Sequence, residues 1–409
     1  MKNKKLWLIF PAAAVFALAV LLAVGLILRP SPPNGLAVDD LGVLYWEGDD
    51  RASSYTVDID GESYTTDVWY MDIFDITDEY KTYTVTVTAK GFLGFKRAKT
   101  ISYDLPALPE DAFIFTLKSD ESGFNVALNP DVAVSGKVII PSSHDGKPVT
   151  GIASQGFKSR QDLTSVFLPD SVTSISVSAF SGDKSLQRVR FSQSLTSIGN
   201  AAFLNCSSLK EVTLPEGLLE IGGDAFKKCA SLTHVEIPAT VKNLGSGAFS
   251  VYNAAFILGK DTTLSPDLFN TNIVGTVYSD ATKISDNWNL SNDPLENTPK
   301  HPILGFILLN CTFKEDEITP YVTSLTLTEI YPPSEIGGGV IMPPYRKGYN
   351  FLGWTEKKGS REVNYLMSDL IRPEKLPTWP QSPTHLCFPN VPYGTTLYPV
   401  WEKIKTYDK

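Results

Sequence analysis

The chain has 409 residues, 43% hydrophobic and 20% charged, with a formal net charge of −9. That length exceeds one ordinary core and predicts several domains; the acidic balance argues against nucleic acid, which selects a basic face. Four cysteines in 409 residues cannot build the disulfide framework of a small secreted scaffold.

At the N-terminus, Lys2, Lys4 and Lys5 precede an uncharged run from Leu6 to Leu28, 23 residues long. At 1.5 Å per residue this is about 34 Å of helix, enough to span a hydrocarbon core. Residues 1–29 are therefore predicted to be a transmembrane signal-anchor, with the lysines cytoplasmic and the bulk outside the cell membrane. The alternative is secretion after cleavage near Ala23-Val24-Gly25. Residues 30–34, with Pro30, Pro32 and Pro33, read as a stiff linker.

Residues 35–104 read as short strands. Val43–Trp46, Tyr55–Ile59 and Tyr83–Ala89 alternate and are rich in β-branched and aromatic residues, and Asp60-Gly61 is a hairpin-turn signal. The early Trp46, the Ser-Tyr-Thr-Val-Asp-Ile-Asp-Gly stretch and the run from Tyr83 resemble a fibronectin type III domain. That resemblance implies a β-sandwich in which Tyr83 is the buried tyrosine near the start of a late strand. At about 70 residues the segment is short for the family, which implies a missing or degenerate strand.

From 110 to 285 a 23-residue step governs the sequence. It carries Phe157, Phe180, Phe203, Phe226 and Phe249, and with them Ile152, Ile175, Ile198, Ile221 and Leu244. It also carries Leu163, Leu186, Leu209 and Leu232, then Val166, Val189, Val212 and Val235. A fixed period of this kind is the mark of a leucine-rich solenoid, whose coils bury their apolar faces only by stacking. Phe113–Leu117 and Phe124–Leu128 are expected to form a capping hairpin, His144-Asp145-Gly146-Lys147 an insertion, and each repeat one short strand plus a turn or short helix before its Phe. Phe256–Leu258 and Ile273–Tyr278 read as worn closing coils. The stretch from Leu195 to Pro215 resembles the BspA-type leucine-rich repeats of bacterial surface proteins, with their Ile-Gly-x-x-Ala-Phe-x-x-Cys-x-x-Leu-x-x-Val-x-Leu-Pro pattern.

Residues 286–302 read as a polar linker and 303–404 as a C-terminal module. Gly348-Tyr349-Asn350-Phe351-Leu352-Gly353-Trp354 and Thr396-Leu397-Tyr398-Pro399-Val400-Trp401 resemble the Listeria–Bacteroides repeat, a family also found in internalin B. This implies a small β-grasp-like fold, departed from by a long proline-rich insertion between Ser360 and Tyr393. The whole is expected to be mainly β and multidomain.

No His-Glu-x-x-His, Gly-x-Ser-x-Gly or phosphate-cradling glycine motif is present, and His144, His234, His301 and His385 are scattered. The sequence predicts no enzyme, no cofactor and no metal. Cys206 and Cys229 share one place on adjacent coils, which suits either two buried thiols or a disulfide across strands about 4.8 Å apart; Cys311 and Cys387 are a second candidate pair. The residues flanking each strand valine face away from the core: Ser165 and Phe167, Arg188 and Arg190, Glu211 and Thr213, then His234 and Glu236. They are read either as a solvated ladder, with Arg188 facing Glu211, or as a protein-binding face with Phe167 as its exposed anchor. The alternative partner is a glycan or the cell wall, met by the C-terminal aromatics and Trp379.

Overall fold

The computed structural model describes residues 29–91, 94–258, 273–279, 306–314, 321–326, 343–346, 348–366, 368 and 395–406. The apolar run at 6–28, the 286–302 linker, Cys387 and Trp379 lie outside them. Among the described residues no helix is long and apolar enough to cross a membrane. The chain divides into two compact units, residues 1–107 with 404–409, and residues 108–403.

The first unit contains β1 (Asn34–Val38), β2 (Val43–Glu47), β3 (Ala52–Ile59), β4 (Glu62–Thr66), β5 (Tyr70–Asp72), β6 (Thr82–Gly91) and β7 (Lys96–Asp104). They form two sheets, ordered β1-β2-β5 and β4-β3-β6-β7. Alternation decides the faces: along β6 Tyr83, Val85, Val87 and Ala89 are buried, as a half-buried strand requires. Trp46 of one sheet meets Tyr55 of the other at 5.2 Å between centroids. Asp60 and Gly61 both take positive φ, 51° and 97°, the geometry of a two-residue hairpin turn. Seven strands are present where the segment's length implied a lost one; turns this short leave room for all of them.

The second unit opens with β8 (Phe113–Leu117) and β9 (Phe124–Leu128), an antiparallel hairpin whose β9 pairs parallel with the first coil. There follow β10 (Gly136–Ile139), β11 (Ser143–His144), β12 (Lys147–Ile152), β13 (Leu163–Phe167), β14 (Ser174–Ile175) and β15 (Arg188–Arg190). Next come β16 (Ser197–Ile198), β17 (Glu211–Thr213), β18 (Glu220–Ile221), β19 (His234–Ile237), β20 (Asn243–Leu244) and β21 (Phe249–Leu258). After the first coil, whose β10 and β12 have four and six residues, each coil supplies a longer strand and a two-residue strand, and both series stack in parallel. Ile152, Ile175, Ile198, Ile221 and Leu244 stand in register down the short series.

Between the two strands the chain turns without a helix, contrary to the helical option for this segment. The N–H groups of Gln155, Phe157 and Ser159 donate to the Val177, Ala179 and Ser181 carbonyls of the next coil. Backbone groups are satisfied between coils, so no local helix is needed. The cost is left-handed backbone at fixed places: Gln155, Ser178, Ala201 and Asp224 lie at φ 54–58°. The five phenylalanines are fully buried and their rings follow one another at 4.9–5.1 Å.

Finally β22 (Ile273–Ser279), β23 (Phe306–Lys314), β24 (Tyr321–Thr326), β25 (Tyr349–Thr355) and β26 (Thr396–Lys403) extend the repeat sheet itself, in the order β17-β19-β21-β22-β23-β24-β26-β25. β23 joins the two parts: Phe306–Asn310 pair in parallel with β22, and Cys311–Lys314 pair antiparallel with β24.

Candidate functional site

The outward rows of the longer strands form the candidate site. One row runs Lys137, Ser165, Arg188 and the other Ile139, Phe167, Arg190, set by the β10–β13 and β13–β15 registers. They continue as Glu211, His234 and as Thr213, Glu236 on β17 and β19. The hydrogen-bonded ladder breaks between β15 and β17, which belong to different sheets. The break falls where a continuous ladder would put Glu211 opposite Arg188.

Two candidates sit differently from expectation. Phe167 is 7% exposed rather than open, because cationic side chains lie on its ring: the Arg190 guanidinium at 4.6 Å and the Lys137 ammonium at 5.9 Å from the centroid. This is cation–π geometry, and it turns an aromatic anchor into the floor of a cationic surface. His234 is also buried, stacked on Tyr345 at 3.4 Å between centroids. The Tyr345 hydroxyl donates to Glu211 Oε1 at 3.4 Å.

The remaining candidates stay on the surface. Glu211 and Thr213 are exposed, and Arg188, Arg190 and Glu236 are half-buried. Arg190 Nη1 donates to the Leu168 carbonyl at 2.9 Å and to Asp170 Oδ1 at 2.7 Å. A bond from the Gln193 N–H and the nearby Arg190 hold the Asp170 carboxyl below its ordinary range. Burial, helped by Glu216, pushes the Glu236 carboxyl up to about 7. The face is therefore divided: Lys137, Arg188 and Arg190 at one end, Glu211, Glu216 and Glu236 at the other. Reading the sequence alone places Ser165 on this face beside Phe167 but misses Lys137 and Tyr345. A step of 23 does not reach Lys137, which lies 28 residues before Ser165 because of the insertion at His144; Tyr345 comes from outside the repeats altogether.

A second column bears on reactivity. Arg160, Asp183, Cys206 and Cys229 occupy one place on successive coils. Cys206 and Cys229 are free and buried, and each thiol donates to the phenylalanine carbonyl of the preceding coil, Phe180 at 3.1 Å and Phe203 at 3.3 Å. Burial pushes the Cys229 thiol up to about 12 and the Cys206 thiol further still. Such thiols are not nucleophiles at neutral pH. Asp183 is also fully buried, and burial pushes its carboxyl up to about 8 against the bond from the Arg160 N–H at 2.6 Å. Among the described residues no three His, Cys, Asp or Glu side chains gather as a metal-ligand set.

Comparison with known proteins bears on the repeats. Among curated proteins none matches the chain. Among solved structures, a leucine rich repeat protein of T. pallidum is 29% identical, over 42% of this chain and 76% of that one, at a TM-score of 0.35. One from Bacteroides ovatus is 21% identical, over 42% and 46%, at 0.36. A leucine rich cell surface protein from Faecalibacterium prausnitzii is 19% identical, over 44% and 72%, at 0.27. The family described as BspA type leucine rich repeat region matches six copies over residues 137–255. These are the coils whose strands, turns and phenylalanine column are described above, and the match supports a BspA type leucine rich repeat reading of residues 137–255.

Proposed function

We propose that the chain is a non-catalytic cell-surface protein that binds a macromolecular partner through the outward residues of its repeat strands. The observation that carries this reading is the division of labour within each coil. Phenylalanine, isoleucine, leucine and valine positions are committed to one continuous core, while Arg188, Arg190, Glu211, Thr213 and Glu236 lie on one accessible face at strand spacing. Extended faces of this kind are what stacked repeats offer to partners. Tethering would come from the apolar run at 6–28.

The flanking parts act as spacers in this reading. The two sheets of three and four strands, with the Tyr83 hydroxyl accepting from the Glu79 N–H at 2.9 Å and donating to the Glu79 carbonyl at 3.1 Å, support the fibronectin type III likeness. The paired β25 and β26, with their Tyr349–Trp354 and Leu397–Trp401 segments, support the Listeria–Bacteroides likeness. Trp354 is fully buried and Phe351 meets Trp354 and Trp401 edge-on at 5.1 and 5.3 Å; these rings pack on one another, which favours the repeat face over a glycan platform.

The test compares binding of surface-protein extracts by the full chain and by Thr213→Arg, which places a long cation in the middle of the face. Val177→Arg, at an exposed position away from the longer strands, serves as control. Binding should fall at least tenfold for Thr213→Arg alone. Equal binding by all three proteins would remove the face from the function.

A further inference from the structure

We propose that the cationic end of the strand face binds an acidic, extended segment of a partner protein, with a carboxylate seated over Ser165 between Lys137 and Arg188. This rests on the strand face being the binding surface and names the partner's chemistry.

Ser165 is the centre of the argument. It stands in register with Lys137 on one side and Arg188 on the other, and neighbouring strands lie about 4.8 Å apart. The two cations therefore flank the serine within reach of a single anionic group. Ser165 is fully buried, and its Oγ has no hydrogen-bond partner. A buried hydroxyl left unpaired costs free energy that an incoming acceptor recovers. A carboxylate oxygen is such an acceptor, and its charge is shared with the long, flexible side chains on either side, a charge-assisted arrangement stronger than a neutral bond.

The surroundings select the rest of the segment. Beside Ser165 the Phe167 ring gives an apolar floor, with Arg190 held over it by Asp170. The ring is already covered by Arg190 and Lys137, so what an adjoining apolar side chain can lie on is the aliphatic stem of Arg190; a sulfated sugar makes no such contact, which favours peptide. At the far end the face is acidic, and there the chain's own Tyr345 stacks on His234 and bonds Glu211, with Arg346 next to it in sequence. The described segment seated there thus meets the acidic end with a hydrogen-bond donor, the Tyr345 hydroxyl, while the Arg346 guanidinium lies over the Tyr349 ring at 3.7 Å. The cationic end calls for the opposite charge, and Glu211, Glu216 and Glu236 repel an acidic segment that slips toward them, fixing its register.

The probe is the peptide acetyl-(Glu-Val)3-amide, titrated calorimetrically into the full chain alongside its Lys-Val counterpart and heparin. The Glu peptide should bind, weaken with salt, and weaken at least tenfold against Lys137→Gln/Arg188→Gln; the Lys peptide should not bind. Ser165→Ala should lower the affinity at least threefold while the melting temperature holds or rises, since the unpaired hydroxyl is gone. A purely structural serine would leave affinity unchanged. Heparin binding without Glu-peptide binding would overturn the proposal, as would Glu-peptide binding indifferent to these substitutions. If extract binding still depends on Thr213 while the Glu peptide fails, the face reading stands and the acidic-segment inference falls. If neither depends on the face, both fall.

Discussion

The phenylalanine column and the column three residues after it obey the same 23-residue step, yet they behave differently. The first is invariant, Phe157 to Phe249, with every ring buried, the Phe157–Phe180 pair tilted and each later ring stacked on the next. The second changes from Arg160 and Asp183 to Cys206 and Cys229. In the later coils a thiol donates to the carbonyl of the preceding phenylalanine. In the first coils the Asp183 carboxyl instead accepts the Arg160 N–H, while the N–H groups of Asp183, Cys206 and Cys229 bond the Phe180, Phe203 and Phe226 carbonyls. A repeat thus dictates where a side chain goes, and the local hydrogen-bond balance dictates which chemistry that place tolerates.

The largest test of this contrast is electrostatic. The Asp183 carboxyl, about 8 in the fold against 3.8 ordinarily, favours its protonated form when folded. Its contribution to stability is therefore complete below about pH 4 and is lost as pH rises through 8. At about 1.4 kcal/mol per tenfold in proton affinity, the loss is on the order of 5 kcal/mol. Asp183→Asn keeps an acceptor for the Arg160 N–H and removes the charge. In urea titrations between pH 5 and 9 it should flatten the decline relative to the parent, which keeps a smaller slope of the same sign from Glu236. A parallel decline in both proteins would show that Asp183 does not titrate as a buried acid.

Next in size is the invariant column. Phe203 touches Phe180, Phe226 and, edge-on, Phe191, so Phe203→Ala should cost about 3–5 kcal/mol in denaturant unfolding. A cost under about 1 kcal/mol would mean that the coils close around the gap. Cys229→Ala removes one buried sulfur and its bond, and a loss of about 1 kcal/mol is expected by the same measurement. Thr213→Arg is the smallest: on an exposed face its effect on stability should stay within about 0.5 kcal/mol, so any binding change it causes belongs to the surface.

Much of the repeat could be read in advance because stacking makes the problem one-dimensional. The Ile152 to Leu244 series and the phenylalanine series were named from spacing alone, and the structure buries both. The candidate face was less legible. Alternation identifies Phe167 as outward, yet outward is not exposed once Lys137 and Arg190 fold over the ring. His234 reads as a surface residue until Tyr345, 111 positions later in the sequence (345 − 234), lies on it. The turn before each phenylalanine admitted a helix; hydrogen bonds between coils, invisible to a local window, decided against one.

What the amino-acid sequence determined by itself is register: which residue of each coil lies inward, which lies outward, and which neighbour it meets one coil away. A constant period admits a single stacking that buries every apolar column at once, and a slip by one residue would expose them all. What only the tertiary structure decided is accessibility: the covering of Phe167, the burial of Ser165 between two cations, and the seating of Tyr345 on the acidic end. Those depend on long side chains and on distant segments choosing where to lie, and no period along the chain encodes that choice.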